Sequence, residues 1–143
     1  MSLHERSVAV LAYPGYQELE FWYPVFRARE EGADVSIVAP SADPCESFLG
    51  YPVIGNADAG TLEAGSLDAL VVPGTVEGLP PASEAQRDLV RAVHAAGGKV
   101  YAAGSGAALV KDVLGDAFDP STAAAGPDDL PALVRRLLDD LAS

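Results

Sequence analysis

Continuous apolar runs alternate with amphipathic stretches along the chain, and proline or glycine bounds most of the runs. Unbroken apolar runs suit strands buried on both faces of a sheet, whereas apolar residues recurring every three or four positions indicate helices. The pattern predicts four strands, at residues 7–13, 35–39, 69–72 and 99–103. It predicts four helices, at residues 18–31, 84–96, 107–114 and 127–141. Because strands alternate with helices, a parallel sheet covered by helices on both faces is expected.

Two stretches lack a clear period. Residues 41–60 are rich in Pro, Gly, Asp and Ser, and their short apolar pieces suggest a small hairpin or excursion. Residues 115–126 are expected to be irregular. Ser83 is a good N-cap for the second helix, and Gly97 is suited to the stop that follows it. Neither stretch resembles a domain linker, so residues 1–143 are predicted to form one domain.

Composition narrows the classes of partner. The 143 residues carry nine Lys and Arg against 21 Asp and Glu, for a net charge of −12. So acidic a surface repels phosphate backbones and anionic lipid, which argues against binding to nucleic acid or membranes. A single cysteine, Cys45, excludes an internal disulfide, and with only two histidines no metal site or other cofactor is expected. The expected compartment is the cytoplasm.

The sharpest local feature is Ala103-Gly104-Ser105-Gly106-Ala107, which follows a predicted buried strand and precedes a helix. A nucleophile elbow places its reactive residue at such a corner, in a strained backbone conformation flanked by small residues. The strict elbow has glycine two positions on either side of the nucleophile, where this chain has alanine. Two interpretations stay open: an elbow that presents the Ser105 hydroxyl in a strained conformation, or a glycine-lined turn with an inert hydroxyl.

A carboxyl is expected at the same edge of the sheet. Glu20 lies in the first turns of the first helix, just past the end of the first strand. The helix is loosened there because Pro24 has no N–H to donate to the Glu20 carbonyl. The carboxyl could point into the cleft at the carboxyl ends of the strands and lie near Ser105, or it could be solvated. Neither His4 nor His94 follows Ser105, and nothing in the pattern places either one beside the hydroxyl.

Three segments together resemble the ThiJ/PfpI family, within the class I glutamine amidotransferase-like fold. They are PGYQELEFWYP at 14–24, LDALVVPGT at 67–75 and GGKVYAAGSG at 97–106. The resemblance implies an α/β fold, a flavodoxin-like three-layer sandwich with a mostly parallel sheet. It runs from about Val8 to Leu109, which is most of the chain.

The resemblance also implies roles for single residues. Ser105 falls where the family keeps its reactive cysteine, and Glu20 falls on the acidic residue that is usually protonated and hydrogen-bonded to that cysteine. Gly74 and Thr75 fall on the loop that faces the same pocket. Gly106 falls where many members carry a histidine. The chain therefore departs from the family by having serine in place of cysteine and no base at 106, and its region after the elbow is short.

These departures argue against cysteine-based peptidase, deglycase or glyoxalase chemistry in this chain. The sequence favours a non-catalytic or weakly active module that binds a small ligand or serves in assembly. Its ligand would lie against Gly74, Thr75, Gly104 and Gly106. The alternative is a serine-dependent hydrolase of a small ester or amide, with Ser105 as the nucleophile and Glu20 beside it.

A homodimer is the expected assembly. Members of the family are commonly dimers, and the shortened C-terminal region removes cover that a longer domain would have. Phe21, Trp22 and Tyr23 are consecutive on the first helix, so one helical face cannot bury all three. At least one of them should be exposed or lie in a subunit contact.

Overall fold

Five parallel strands form the central sheet of the structure, a computed structural model that describes residues 2–143. With the two strands of a separate hairpin, the described residues form seven strands: β1 (Ser7–Leu11), β2 (Asp34–Val38), β3 (Cys45–Glu46), β4 (Pro52–Val53), β5 (Ala69–Val72), β6 (Lys99–Ala103) and β7 (Ala123–Ala124). The order in the sheet is β2-β1-β5-β6-β7, and β3 and β4 form a separate antiparallel hairpin. β1 and β5 are buried throughout most of their length because sheet neighbours flank them and helices cover them.

Four helices cover the sheet: α1 (Glu18–Glu30), α2 (Glu84–Ala95), α3 (Gly106–Leu114) and α4 (Leu130–Ala142). α1 contacts α4, and α2 contacts α3. The chain moves outward from β1 to β2 through α1 and in the other direction from β5 to β6 through α2, so right-handed crossovers place the two helix pairs on opposite faces. The result is the three-layer α/β sandwich, flavodoxin-like, that the sequence predicts.

The predicted elements are confirmed, with differences at their ends. The first strand stops at Leu11, two residues before the end of its apolar run, although the Ala12 N–H still donates to the Val38 carbonyl at 2.9 Å. The hairpin expected in residues 41–60 is β3–β4. The expectation that 115–126 is wholly irregular is wrong, because β7 lies within it and pairs with β6. Two residues are too few to show a strand period in a sequence.

Two buried side chains fix the loops at the carboxyl edge of the sheet. Gln86 is fully buried and donates from Nε2 to the carbonyls of Ala12, at 2.8 Å, and Val38, at 2.9 Å. It also completes a capping box with Ser83, the N-cap predicted for α2. Tyr13 is buried, and its hydroxyl donates to the carbonyl of Pro73. The loops after β1, β2 and β5 are therefore held in place by buried hydrogen bonds.

Within residues 2–143, the fold offers no support for a membrane-spanning helix, a metal centre or a cysteine nucleophile. Between residues 2 and 143, no helix is both long and apolar enough to cross a membrane. Over the same span, no group of three or more His, Cys, Asp and Glu side chains is placed to hold a metal ion. Cys45 is a free, buried thiol whose pKa is raised by burial, which suits a packing residue better than a nucleophile.

Candidate functional site

An open cleft of about 620 Å³ lies at the carboxyl edge of the sheet. We call it the cleft throughout, and its lining comes from α1, the loop after β5, the corner between β6 and α3, and the segment 125–127. The polar residues that line it are Gln17, Glu20, Thr75 and Ser105. The three segments quoted from the sequence, 14–24, 67–75 and 97–106, therefore meet in space, as expected for a parallel α/β sheet.

The backbone at the β6–α3 corner differs from the sequence expectation. Gly104 takes the left-handed conformation, with φ of 55°, whereas Ser105 is right-handed helical, with φ of −67° and ψ of −12°. The expected strained backbone at Ser105 is therefore wrong. The turn from strand to helix needs one left-handed residue, and glycine adopts that conformation without the cost a Cβ imposes. Ser105 consequently becomes the N-cap of α3.

Gly106 lies behind the cleft, against the end of β5. A Cβ at this position would lie 2.1 Å from the carbonyl oxygen of Val72 and 2.7 Å from that of Pro73. Both are backbone atoms of a buried strand end, so they cannot move aside easily. Gly106 is itself buried and is not among the residues that line the cleft. Position 106 therefore has no room for a side chain, such as the histidine that many members of the family carry there according to the resemblance.

The hydroxyl of Ser105 is committed to one neighbour. Its Oγ accepts from the Thr75 N–H at 2.9 Å and donates to the Thr75 carbonyl at 3.1 Å. The Thr75 hydroxyl lies 3.5 Å away and donates to the carbonyl of Gly78. Throughout residues 2–143, every hydrogen bond of the Ser105 hydroxyl is to Thr75, so no base abstracts its proton in this arrangement.

Both histidines lie far from this hydroxyl. His4 packs against Gly32, at the other edge of the sheet. His94 lines a separate cavity with Lys99, at the amino end of β6, whereas Ser105 follows the carboxyl end of that strand. The structure therefore agrees with the sequence reasoning that found no histidine partner for Ser105.

Glu20 lies at the bottom of the cleft with 3% of its surface exposed. Its Oε1 accepts from the Gly74 N–H at 2.9 Å. Burial raises the pKa of this carboxyl, and the hydrogen bond from Gly74 opposes the rise only in part. The protonated form is therefore favoured to a higher pH than in an ordinary glutamic acid.

The carboxyl of Glu20 lies against Gly104 and forms no hydrogen bond with Ser105. A Cβ at Gly104 would lie 2.7 Å from Oε2 and 2.8 Å from Oε1. The expected contact between Glu20 and the Ser105 hydroxyl is thus replaced by a contact with the backbone of the preceding residue. The physical reason is the left-handed turn at Gly104, which directs the Ser105 side chain to Thr75.

Replacing Glu20 with glutamine should change how stability depends on pH. A raised pKa in the folded state gives stability that is present below the ordinary value of 4.5 and is lost as pH rises through the folded-state value. Glu20→Gln keeps an acceptor for Gly74 and cannot ionise. Chemical denaturation across this range should show wild type losing free energy of unfolding relative to the variant as pH rises. A difference that stays constant, or that favours wild type at higher pH, would contradict the raised pKa.

Comparison with known proteins identifies the family. The model of the DJ-1/PfpI family matches residues 6–116. The chain belongs to the DJ-1/PfpI family. The resemblance seen in the sequence is therefore confirmed for the family and for its α/β fold.

Relatives of the DJ-1/PfpI chain differ in length and identity. An uncharacterized protein from Archaeoglobus fulgidus is 31% identical over 67 residues, which are 47% of this chain and 40% of that protein. A cysteine-to-alanine variant of a DJ-1 superfamily protein from Salmonella typhimurium has a TM-score of 0.79 at 22% identity, over 96% of this chain and 90% of that one. A two-domain protein from Anabaena variabilis, with DJ-1/ThiJ/PfpI-like and ferritin-like domains, has a TM-score of 0.67 at 20% identity, over 76% of this chain and 31% of that one.

Sequence reasoning missed two residues of this DJ-1/PfpI site. Gln17 caps α1 by accepting from the Glu20 N–H at 2.8 Å, and it lines the cleft. Glutamine is not a usual N-cap residue, so the pattern gave no signal for it. Tyr13 donates to the Pro73 carbonyl and so holds the loop that contains Gly74. In the sequence, Tyr13 ends an apolar run that predicts only a strand. An aromatic hydroxyl at the end of a buried strand is the one signal that could have found it, because a buried hydroxyl needs a partner.

Proposed function

We propose that this DJ-1/PfpI family chain is a small-ligand-binding domain without covalent catalysis, in which Gly104 takes the place of the reactive residue of the elbow. The observation that carries the proposal is the left-handed backbone of Gly104 at the strand-to-helix corner. A nucleophile elbow keeps its reactive residue in that strained position. Glycine there supplies no hydroxyl or thiol. The elbow residue is thus one position earlier than the serine that the sequence suggested.

The crowding at Gly106 also supports Gly104, and not Ser105, as the elbow position. If Ser105 were the elbow residue, the residue after it would be Gly106, and position 106 has no space for a side chain. If Gly104 is the elbow residue, the residue after it is Ser105. Ser105 does have space and takes its place as the N-cap of α3. The two backbone observations, at Gly104 and at Gly106, are independent of each other.

Hydrolysis by Ser105 has weaker support. A serine hydroxyl needs a positioned base because its pKa lies far above neutrality. The Ser105 hydroxyl donates to the Thr75 carbonyl, which cannot take up a proton at any ordinary pH. Glu20 is biased toward its protonated form and faces Gly74 and Gly104, so it does not serve as the base.

Binding of a small molecule is supported by the shape and lining of the cleft. Apolar side chains surround a few polar groups, which is the usual character of small-molecule sites. Val76 and Leu79, on the loop after β5, are 50% and 51% exposed and form part of the apolar lining. Ala108 and Pro127 supply the opposite apolar wall.

A fragment screen monitored by amide NMR tests the proposal. Fragments should shift the resonances of residues 74–79 and 104–108, and Leu79→Glu should abolish these shifts by placing a charge on the apolar wall. Leu19→Glu is the matched control, since Leu19 is a similarly exposed leucine, at 56%, that does not line the cleft. Fragments that bind only elsewhere, or that bind Leu79→Glu unchanged, would contradict the proposal.

Assembly into a homodimer is the second part of the proposal. Leu19, Trp22 and Phe26 lie on one exposed side of α1, and the rings of Trp22 and Phe26 stack at 5.3 Å. Leu49, 68% exposed, lies beside them because its N–H donates to Glu18 Oε2 at 2.7 Å. Such an apolar surface on a chain this acidic is suited to a second copy, since like-charged copies can approach closely only where charge is sparse.

Leu19→Glu should weaken the dimer. The carboxylate would be desolvated at the contact and would face its symmetry mate, which destabilises association. Light scattering at tens of micromolar should give twice the chain mass of 14.7 kDa for wild type and for Leu79→Glu, and a single chain mass for Leu19→Glu. A monomeric wild type, or a dimer that tolerates the charge, would contradict the assignment of this surface.

A further inference from the structure

The cleft holds one titratable side chain and no cation. Among the residues that line it, Glu20 alone can carry charge, and there is no Lys, Arg or His. The chain as a whole carries a net charge of −12. An anionic ligand would therefore meet no cationic side chain in the cleft, only the partial charge of the α3 N-terminus, and a repulsive field outside it.

The absence of a side chain at Gly104 exposes the Glu20 carboxyl to the cleft. Any Cβ at Gly104 would come within 2.8 Å of both carboxyl oxygens and would cover them. Oε1 is engaged by the Gly74 N–H, and Oε2 has no hydrogen bond from any residue between 2 and 143. No buried side-chain oxygen or nitrogen between residues 2 and 143 lacks a partner, so the unbonded Oε2 is open to the cleft and is the atom that a ligand would meet.

We propose that the cleft binds a small uncharged carboxamide, whose carbonyl oxygen accepts a hydrogen bond from the protonated Glu20 carboxyl and whose N–H donates to Ser105 Oγ. The inference rests on the proposed binding function and specifies the chemistry of its ligand.

Each polar group of a carboxamide has a counterpart in the cleft. Protonated Glu20 donates from the oxygen that Gly74 leaves free. Ser105 Oγ accepts only from the Thr75 N–H, and its second lone pair remains for a ligand. Gln17 Oε1 is used by the Glu20 N–H, which leaves the amide donors of Gln17 at the cleft wall. A ketone would use the first of these groups and leave the Ser105 acceptor unpaired.

Binding of such a ligand should follow the protonation of Glu20. On the elements packed against it, Tyr13 is the titratable group that interacts electrostatically with Glu20, and its own pKa is raised by burial and by that carboxyl. The loop after β5 and the β6–α3 corner present no charged side chain to it. On its own helix, Glu18 is engaged with the N–H of Leu49. Above the pKa of Glu20, affinity should therefore fall about tenfold per pH unit.

NMR titrations with three probes of similar size test the inference. Isobutyramide is the carboxamide, methyl isopropyl ketone is its isostere without N–H donors, and propanesulfonate is an anion at all relevant pH values. At low pH, isobutyramide should shift the cleft resonances with an affinity at least several-fold above that of the ketone. Propanesulfonate should not compete. The isobutyramide affinity should decrease as pH rises.

Two variants assign the effects to the named groups. Glu20→Gln keeps a donor that cannot ionise, so binding should persist and its pH dependence should disappear. Gly104→Ala should cover the carboxyl and weaken isobutyramide binding at least tenfold. Gly97→Ala is the control, because Gly97, after α2, also has a positive φ, 90° against 55°, and open space around its Cβ position.

The outcomes separate the two proposals. No shift of cleft resonances by any probe at tens of millimolar overturns both the binding function and this inference. Equal affinity for isobutyramide, the ketone and propanesulfonate overturns the inference and leaves the binding function intact. The same follows if the pH dependence persists in Glu20→Gln or if Gly104→Ala binds isobutyramide as wild type does.

Discussion

Gly106→Ala should destabilise the protein by about 3 kcal/mol or more, which is at the upper end of overpacking effects. The added methyl would lie 2.1 Å from the carbonyl oxygen of Val72, so either α3 or the end of β5 must move. β5 is buried along its whole length, and α3 packs its buried face, which includes Gly106 and Leu109, on the sheet, so such a shift disturbs the cleft as well as the core. Thermal unfolding should show a midpoint roughly 10 °C lower than wild type.

The matched control for this change is Gly65→Ala. Gly65 has no left-handed backbone and nothing within 4 Å of its Cβ position, so the same added methyl should leave stability nearly unchanged. Equal midpoints for Gly106→Ala and wild type would mean that α3 does not lie directly on the end of β5. The assignment of Gly104 as the elbow residue would then rest on its left-handed backbone alone.

Gly104→Cys, made in a Cys45→Ser background, should create a reactive thiol. The Glu20 carboxyl, the far end of a flexible side chain, must shift to admit the Cβ, and the thiol then lies one residue before the N-cap of α3, where the helix N-terminus stabilises a thiolate. Protonated Glu20 beside it can donate a hydrogen bond to the sulfur. Its alkylation by iodoacetamide should titrate with an apparent pKa below the value of about 8.5 for a free cysteine.

Ser105→Cys in the same background is the comparison. Its sulfur would take the place of Oγ, which accepts from the Thr75 N–H but also faces the Thr75 carbonyl, and the carbonyl opposes ionisation. At neutral pH, Gly104→Cys should therefore be alkylated at least tenfold faster than Ser105→Cys, provided that both variants keep the native amide spectrum. The reverse order of rates would place the elbow at Ser105 and would refute the assignment of Gly104.

The order of strands and helices could be predicted because each element carries its own periodic signal. The apolar runs of β1 and β5 and the cap at Ser83 are local features, and the structure confirms them. Neighbouring corners of a parallel sheet meet by topology, so the convergence of Glu20, Gly74 and Ser105 followed from the element order. β7 was missed because two residues carry no period.

The geometry within the corner could not be predicted, because it depends on contacts between residues distant in the sequence. In Gly104-Ser105-Gly106, the sequence does not say which residue takes the left-handed turn. The constraint on Gly106 comes from Val72, and the one on Gly104 comes from Glu20. The commitment of the Ser105 hydroxyl depends on Thr75, thirty residues earlier. Propensity alone permits glycine at all of these positions.

We propose that the cleft has no activated nucleophile, and labelling with a fluorophosphonate tests this most directly. Wild-type protein would be incubated with excess reagent near neutral pH and analysed by intact-mass spectrometry, with Ser105→Ala alongside to assign any adduct. Because the Ser105 hydroxyl is hydrogen-bonded to Thr75 and faces no base, wild type should keep its unmodified mass. A single stoichiometric adduct on wild type that is absent from Ser105→Ala would contradict the account and establish Ser105 as a nucleophile.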